Sequence, residues 1–235
     1  MLIGNGPVHL EPWLAAAMKV RRMVCAVEKP RDRNAGTGFL IGPNLVLTAF
    51  HVIAELAADA AAMASLRVVF DRHLLADRFH VGRASTYAVA SLFDSSERLD
   101  FAVLALQWPA GEEMLQDEVR GWVDLPQTSQ RLTKDSCLTV IHHPRPEALY
   151  LSPGVVTDVA QRGTRIRYRT ATEGGSSGAP CFDYRWNVVA MHLGTRRTRA
   201  AAPLYSEAIP IDEVRRAMVN PPMRRSPADL HRGAL

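Results

Sequence analysis

Short runs of apolar and β-branched residues, separated by turn residues, dominate the first half of the chain after residue 22. These runs lie at Met23–Val27, Gly38–Ile41, Leu45–Thr48, Leu66–Phe70, Phe79–Arg83, Ala88–Phe93 and Phe101–Leu106. The turn Gly42-Pro43-Asn44 and the charged run Asp94–Arg98 separate some of them. This rhythm is typical of the short strands of an all-β sandwich or barrel.

The second half repeats the rhythm after a polar, acidic stretch from Gly111 to Glu118. Its strand-like runs lie at Ser136–His142, Gly154–Ala160, Arg165–Thr170, Ala179–Phe182 and Val188–Leu193. The polar stretch indicates a crossing between two halves, and we place the boundary near residue 125. We therefore expect a first barrel over residues 23–125 and a second over residues 126–210.

Helical patterns are confined to the two ends of the chain. Pro12 stands in a first turn ahead of an Ala-rich segment, which predicts a short helix over residues 10–20 within an N-terminal extension, residues 1–22. Ile211 to Val219 predicts a closing amphipathic helix with acidic residues in its first turn, ended by Pro221-Pro222. Residues 211–235 thus form the closing helix and a basic tail.

Composition adds limits on partners and location. With 235 residues, of which 47% are hydrophobic, the chain can bury a substantial core. The net charge of +4 is spread along the chain, with basic clusters only at Arg196–Arg199 and Arg224–Arg225, so we expect no nucleic-acid partner. The first residues have no basic leader and no long apolar run, so we expect a cytoplasmic location and no membrane partner.

The cysteines and paired histidines are weak candidates for chemistry. Cys25, Cys137 and Cys181 are odd in number and each lies in an apolar run, which predicts buried free thiols in a reducing compartment. None has the flanking residues of a nucleophile, so a catalytic cysteine is disfavoured. His142-His143 has no nearby acidic or cysteine set, so we expect no metal site and no cofactor.

Two segments each offer one candidate catalytic side chain. Gly36 to Val52 contains two strands joined by a Gly-Pro-Asn turn and reaches His51, which the hairpin would hold at a strand terminus. Taken alone, His51 reads as a capped core histidine. Asp100 stands at the mouth of the apolar run Phe101–Leu106. Burying its carboxylate costs several kcal/mol unless it is paired, so it has a partner or it faces solvent.

A third segment has glycines on both sides of a serine: Gly174-Gly175-Ser176-Ser177-Gly178-Ala179-Pro180. Such glycines let the backbone take unusual dihedrals and turn successive N–H groups toward one point, where an oxyanion could form. The alternative is a flexible Gly/Ser turn. A turn, however, requires neither the proline three residues on nor an upstream histidine and aspartate.

Together these segments resemble the chymotrypsin-like serine proteases, in particular the bacterial trypsin-like branch that lacks disulfides. The matching elements are Thr48-Ala49-Phe50-His51, Asp100-Phe101-Ala102-Val103-Leu104 and Gly175-Ser176-Ser177-Gly178-Ala179-Pro180, in that family's order of His, Asp and Ser. The resemblance spans roughly residues 23 to 210 and implies an all-β fold of two six-stranded antiparallel β-barrels. It implies a serine endopeptidase acting on protein or peptide substrates through an acyl-enzyme.

The resemblance also implies the role of each residue. Ser177 attacks the scissile carbonyl, His51 takes the serine proton and returns it to the leaving amine, and Asp100 orients His51. The backbone N–H groups of Gly175 and Ser177 form the oxyanion hole.

One departure from the family concerns activation. Many members that are secreted as zymogens carry Asp just before the nucleophile, where it pairs with a newly freed amino terminus. Ser176 stands there in this chain and cannot form that ion pair, so either the hole is preformed or a partner orders it. An activating protein partner would dock through residues 1–22 or the tail, as in a bacterial stress or defence assembly. A binding module that has lost activity is the alternative from another functional class.

Four further residues resemble the substrate pocket of this family. Ala171 aligns with the position at which trypsin-type enzymes carry an acidic residue, so cleavage after Lys or Arg is disfavoured. Thr172 and His192 match the pattern of bacterial glutamyl endopeptidases, and Thr195 offers a further hydroxyl. The resemblance implies a preference for an acidic residue on the acyl side of the cut. A core histidine on this strand is the alternative reading of His192.

Overall fold

The computed structural model describes residues 7–30, 32–74, 82–127, 131–144, 148–160, 163–196 and 205–219. The helices within these ranges are α1 (Leu10–Arg21), α2 (Phe50–Ile53), α3 (Ala60–Ala64) and α4 (Ile211–Ala217), and a 3-10 turn covers Ala110–Glu112. The strands are β1 (Val24–Lys29), β2 (Asp32–Leu40), β3 (Leu45–Thr48), β4 (Arg67–Phe70), β5 (Ser85–Ser96), β6 (Phe101–Leu106), β7 (Met114–Leu115), β8 (Glu118–Val119), β9 (Cys137–His142), β10 (Tyr150–Ala160), β11 (Arg165–Thr170), β12 (Pro180–Phe182), β13 (Val188–Arg196) and β14 (Tyr205–Pro210).

Six of these strands close the first barrel in the order β1-β2-β3-β6-β5-β4, and every neighbouring pair is antiparallel. The strands are rich in Val, Leu and Phe, whose side chains fill the interior. Phe39 on β2, Leu47 on β3 and Leu104 on β6 are fully buried. The barrel thereby fixes the end of β3, which His51 follows closely, and the start of β6, which Asp100 immediately precedes.

The second barrel has the order β10-β11-β14-β13-β12-β9, again antiparallel throughout. Its core contains polar as well as apolar side chains. Tyr168 and His192 are both buried there, on β11 and β13. The predicted all-β fold of two six-stranded antiparallel barrels, with a helix near each end, is confirmed. The first barrel ends at Leu106 and the second begins at Cys137, so the boundary predicted near residue 125 falls in the segment between them.

The strand boundaries differ from the predicted ones in several places. The pattern missed β14, because polar residues such as Ser206 and Glu207 dilute its apolar alternation. The run Asp94–Arg98 was predicted as a turn between strands. Strand β5 instead continues to Ser96, which pairs with Phe101, so the turn begins at residue 97. The predicted strand Phe79–Arg83 lies mostly outside the described residues, and Gly82 and Arg83 are not in a strand.

The segment between the barrels contains a buried cation that the sequence pattern did not indicate. Arg120 is fully buried, donates two hydrogen bonds to the Asp71 carboxylate (3.1 and 2.8 Å), and also pairs with Glu113. Its guanidinium lies 4.5 Å from the centre of the Phe70 ring. The polar stretch predicted as a crossing therefore attaches to the first barrel, partly through the short hairpin of β7 and β8 and partly through this ion cluster.

Helix α1 packs on the second barrel's β12–β13 turn through two tryptophans. The Trp13 indole donates to the Tyr184 carbonyl (2.9 Å), the Trp186 indole donates to the Trp13 carbonyl (3.1 Å), and the two ring centres lie 4.9 Å apart. Another side of the helix exposes Leu10, Leu14 and Met18. Apolar side chains at this helical spacing form one exposed stripe.

Three further observations bear on the chemistry of the chain. All three cysteines are free; Cys25 and Cys181 are buried and Cys137 is half-buried. Burial raises the pKa of Cys25 well above its usual value and that of Cys181 to about 12. No helix among the described residues is long and apolar enough to cross a membrane. The same part of the chain contains no cluster of three or more His, Cys, Asp or Glu side chains suited to a metal ion.

Candidate active site

His51 is the second residue of a short helix, whereas the sequence pattern placed it at a strand terminus. Strand β3 ends at Thr48, Ala49 is extended, and α2 then covers residues 50–53. Val52 and Ile53 bury the other face of this helical turn, which leaves the imidazole about half exposed. The backbone N–H of His51 donates to Asp100 Oδ1 at 2.9 Å, so the helical turn itself is tied to the carboxylate.

Asp100 ends the turn between β5 and β6 in a left-handed backbone conformation, with φ of 64°. Its N–H donates to the Glu97 carbonyl at 3.2 Å, which closes the turn and aims the side chain at His51. The His51 Nδ1 atom lies 2.8 Å from Oδ2 and 3.0 Å from Oδ1. The sequence required either a partner for this carboxylate or solvent, and His51 is the partner.

Two glycines shape the loop that contains Ser177. Gly175 and Gly178 both have positive φ, of 95° and 88°, which residues with a side chain rarely adopt. The Ser176 N–H donates to the Glu173 carbonyl (3.1 Å) and the Gly178 N–H donates to the His192 carbonyl (2.8 Å). Within the described chain the N–H groups of Gly175 and Ser177 donate to no acceptor. They are therefore free to bind an anion.

Thr37, on β2 of the first barrel, holds this loop from the other side. Its N–H donates to the Ser177 carbonyl and its hydroxyl donates to the Gly175 carbonyl, both at 2.8 Å. Its own carbonyl accepts from the Thr48 hydroxyl at 2.7 Å. Thr37 thus ties the serine loop to the strand that precedes His51. No local pattern indicates this role, because Thr37 and the serine loop are separated by more than a hundred residues of chain.

One open cavity of about 690 Å³ joins the three candidate catalytic residues. Its lining residues are His51, Asp100, Thr172, Glu173, Gly174, Ser177, Leu193, Gly194, Thr195 and Arg196. The Ser177 hydroxyl donates to the Leu193 carbonyl at 3.0 Å. A serine has a single hydroxyl proton, so in this arrangement it is directed to Leu193 and not to His51.

Three hydroxyl groups meet on the other side of the same cavity. Thr172 Oγ1 lies 3.2 Å from Thr195 Oγ1 and 3.3 Å from Ser206 Oγ, and Thr195 Oγ1 lies 3.2 Å from Ser206 Oγ. We call this set the hydroxyl cluster. Thr172 and Thr195 are thus brought together as the resemblance implied, whereas Ser206 was missed because its strand, β14, was missed.

His192 and Ala171 lie outside the lining of the cavity. His192 is buried, and the Tyr168 hydroxyl lies 2.5 Å from its Nδ1. Burial lowers the pKa of His192 to about 3 and raises that of Tyr168 well above its usual value, so both are neutral at pH 7 and the tyrosine donates. Ala171 is exposed, and its carbonyl accepts from the Ser152 hydroxyl at 2.8 Å.

His142, weighed in the sequence as half of a weak metal pair, instead bridges two serines. Its Nδ1 lies 2.8 Å from Ser176 Oγ and its Nε2 lies 2.9 Å from Ser152 Oγ. Ser152 was not recognised from the sequence.

Comparison with known proteins agrees with this geometry. The model of the family described as "Trypsin-like peptidase domain" matches residues 36–191. A protein of Sinorhizobium fredii (strain NBRC 101917 / NGR234), called "Uncharacterized protein y4fB", is 28% identical over 207 residues, which are 81% of this chain and 30% of that protein. The chain thus spans about a third of that relative's length.

Two solved structures have a similar fold. Deg5 is 23% identical with a TM-score of 0.62, over 88% of this chain and 91% of that one. The inactive form of Rv3671c from M. tuberculosis H37Rv, a Ser-to-Ala mutant, is 16% identical with a TM-score of 0.59, over 91% and 93%. At these identities the likeness concerns the fold. The family model covers more than half of the chain, and the chain therefore belongs to the trypsin-like peptidase domain family.

Proposed function

We propose that this protein is a serine endopeptidase with His51, Asp100 and Ser177 as its catalytic triad. The observation that carries the proposal is the 2.8 Å contact between His51 Nδ1 and the Asp100 carboxylate, within one cavity that also contains Ser177. A carboxylate on Nδ1 fixes the tautomer of a neutral imidazole, because Nδ1 must then bear the proton. The Nε2 atom is left with a lone pair and can act as a base.

The mechanism follows from these groups. Ser177 Oγ attacks the scissile carbonyl carbon while its proton moves to His51 Nε2, and Asp100 stabilises the resulting imidazolium. The N–H groups of Gly175 and Ser177 donate to the oxygen that becomes negative, where each such donor contributes about 3 kcal/mol. His51 gives its proton to the leaving amine, which departs. Water then attacks the acyl-enzyme with His51 again as the base.

For the substrate, we propose a preference for an acidic residue on the acyl side of the cut. The hydroxyl cluster supports it, because neutral hydroxyls that bond one another can turn their protons toward a carboxylate. Bonds of this kind to an ion contribute about 1.5–3 kcal/mol each. Arg196 adds a positive charge to the lining of the cavity. His192 is buried outside the cavity lining, so it would act on this preference by supporting the pocket wall and not as a donor to the substrate.

Glu173 also lines the cavity, and its carboxylate opposes an acidic substrate residue. The cavity lining thus contains both Glu173 and Arg196, whose charges act in opposite directions on an acidic substrate residue. Arg196 is in turn shared with Glu207, at 3.3 Å. The preference that we propose accordingly comes from the hydroxyl donors more than from net charge.

We also propose a protein partner that docks on the N-terminal extension. The exposed apolar stripe of Leu10, Leu14 and Met18 on α1 supports such a partner. In the S. fredii relative, the matched region is 30% of the protein, so other parts of that protein could occupy the corresponding surface. Contact with α1 would act on the serine loop through Trp13 and the β12–β13 turn.

The catalytic proposal is tested by labelling with a fluorophosphonate, which reacts with an activated serine. We expect wild-type protein to be labelled and Ser177→Ala to be inert, and His51→Ala to lose several orders of magnitude in turnover. Ser176→Ala keeps its label at a reduced rate. Labelling that survives in Ser177→Ala and disappears in Ser176→Ala would show that the nucleophile is Ser176 and that our assignment is wrong. A folded wild-type protein that takes no label would favour the binding module.

The substrate preference is tested with a peptide library profiled at pH 6 and pH 8. We expect cleavage after Glu or Asp, weakened by Thr172→Val and by His192→Ala, and sharpened by Glu173→Gln because that change removes the opposing carboxylate. Cleavage mainly after Arg, Leu or Phe would contradict the proposal. The double change Thr195→Val with Ser206→Ala separates the hydroxyl cluster from His192, since it leaves the histidine and its tyrosine in place.

A further inference from the structure

His142 lies at the end of β9, buried with only 2% of its surface exposed, and both of its ring nitrogens face serine hydroxyls. Ser176, the residue before the nucleophile, lies 2.8 Å from Nδ1. Ser152, on β10, lies 2.9 Å from Nε2. Both serines are themselves buried, so this is a polar chain inside the second barrel and not a surface contact.

The hydrogen bonds of the two serines determine where every proton lies. Ser152 donates its proton to the Ala171 carbonyl at 2.8 Å, so it must accept from His142, which therefore bears Nε2–H. Burial lowers the pKa of His142 to about 4, so the ring is neutral at pH 7 and Nδ1 is an acceptor. Ser176 must then donate to Nδ1, and its oxygen accepts the Glu173 N–H at 3.2 Å.

This chain of hydrogen bonds, which we call the His142 relay, binds both ends of the segment from Ala171 to Ser176. At one end is the Ala171 carbonyl and at the other the Ser176 hydroxyl, and the residues between them include Thr172 and Glu173 of the cavity lining. Its fixed side is the barrel itself, since β9 and β10 pair antiparallel in continuous register from Tyr150↔His142 to Val155↔Cys137.

The position of Ser176 directly affects the geometry of the oxyanion hole. It stands between Gly175 and Ser177, whose N–H groups must converge on the same oxygen. Its side chain is uncharged, so the His142 relay, together with the Glu173 contacts, fixes its position without an ion pair. Each neutral hydrogen bond of the relay is directional, and removal of His142 would leave two buried hydroxyl groups without one partner each.

We propose that His142 is a positioning residue that holds the Ser176 peptide in the geometry of the oxyanion hole through one ring nitrogen. Through the other it holds the Ala171 end of the segment that brings Thr172 and Glu173 into the cavity lining. The inference rests on the proposed serine endopeptidase function. The Ser176 arm acts on the chemical step, so its loss lowers kcat. The Ser152 arm acts on substrate binding, so its loss raises KM.

The test compares three variants by steady-state kinetics on one peptide substrate. His142→Phe keeps a ring of similar size without hydrogen bonds, and we expect kcat to fall about 100-fold, because displacement of oxyanion donors has effects of that order. His142→Asn keeps an acceptor near Nδ1 and recovers at least tenfold of that loss. Ser152→Ala raises KM by about tenfold with kcat within threefold of wild type.

A role in folding alone would give a different pattern. It would lower the active fraction and leave KM and the per-site kcat, determined by titration of active serines, unchanged in all three variants. That result, or wild-type kcat in His142→Phe, would overturn the inference. Failure of the proposed function is distinguished separately, since wild-type protein would then take no fluorophosphonate label.

A second measurement does not depend on activity. Nitrogen-15 NMR of the histidine side chains in Ser177→Ala protein reports the tautomer of His142 at neutral pH. We expect the Nε2–H tautomer, converted to a mixture in Ser152→Ala. An Nδ1–H tautomer in the otherwise intact protein would reverse every hydrogen bond of the relay and would overturn the inference.

Discussion

Replacement of Gly178 by Ala tests how closely the serine loop is seated on the first barrel. A Cβ at this position would lie 2.2 Å from the Thr37 carbonyl oxygen, 2.4 Å from Thr48 Oγ1 and 2.8 Å from the Ala49 nitrogen. Real Cβ atoms essentially never approach other atoms so closely, and two of the three neighbours are backbone. The barrels would have to move apart at the point where Thr37 donates to Ser177.

The magnitude has two parts, and the chain offers a control that separates them. A side chain at positive φ costs about 1–2 kcal/mol by itself, and overpacking against a rigid neighbour costs about 1–3 kcal/mol more. Gly163 has a φ of 95°, close to the 88° of Gly178, but no atom of the described residues lies within 4 Å of its Cβ position. Gly163→Ala therefore measures the backbone part alone, and Gly178→Ala measures both.

The assay is equilibrium unfolding in urea, together with fluorophosphonate labelling of the folded protein. We expect Gly163→Ala to lose about 1–2 kcal/mol of unfolding free energy and to keep its labelling rate, whereas Gly178→Ala loses about 2–5 kcal/mol and labels poorly. Equal stability and equal labelling in the two variants would refute the reasoning, because the serine loop would then have room that the geometry denies it.

Two further predictions concern buried charge and pH. Arg120→Ala leaves the largely buried Asp71 and the partly buried Glu113 without a cation, so we expect a loss of about 3–5 kcal/mol in urea unfolding. Arg22→Ala breaks a more exposed pair, with Glu118, and should cost under about 1 kcal/mol. Comparable losses would contradict it. Because burial lowers the pKa of His142 to about 4, the unfolded chain binds a proton below pH 6.5 that the folded protein does not. The contribution of His142 to the unfolding free energy should therefore fall by about 3 kcal/mol between pH 6.5 and 4. The His142→Phe variant should lack this pH-dependent loss.

The parts of the site that the sequence revealed are those whose signal is local. The residues around His51, Asp100 and Ser177 each form a short motif in which the neighbours in sequence define the backbone: a strand end, a turn before an apolar strand, and a glycine-flanked loop. Even there the local geometry was only partly predictable. His51 lies on a helical turn, since the hydrogen bond from its N–H to Asp100 joins segments 49 residues apart.

The parts that the sequence did not reveal depend on contacts between distant segments. Thr37 reaches Gly175 across 138 residues and Ser176 reaches His142 across 34, and neither threonine nor serine in a strand or loop is distinctive by itself. Ser206 joined the hydroxyl cluster only because β14 pairs with β13. The polar residues of β14 weaken the apolar alternation by which strands are recognised in a sequence. The sequence analysis therefore missed both the strand and Ser206.

The hydrogen bond of Ser177 to the Leu193 carbonyl bears on how far this geometry is from a reactive one. To donate to His51, the serine must give up that acceptor, which costs about 1 kcal/mol if no other donor replaces it. This is small beside the barrier lowering of at least about 8 kcal/mol that enzymes supply. The change would fall on the Ser177 side chain, because the imidazole is already fixed on Asp100 and the loop on Thr37. A ligand in the cavity that offers its own donor to the Leu193 carbonyl would remove even that cost and release the hydroxyl to His51.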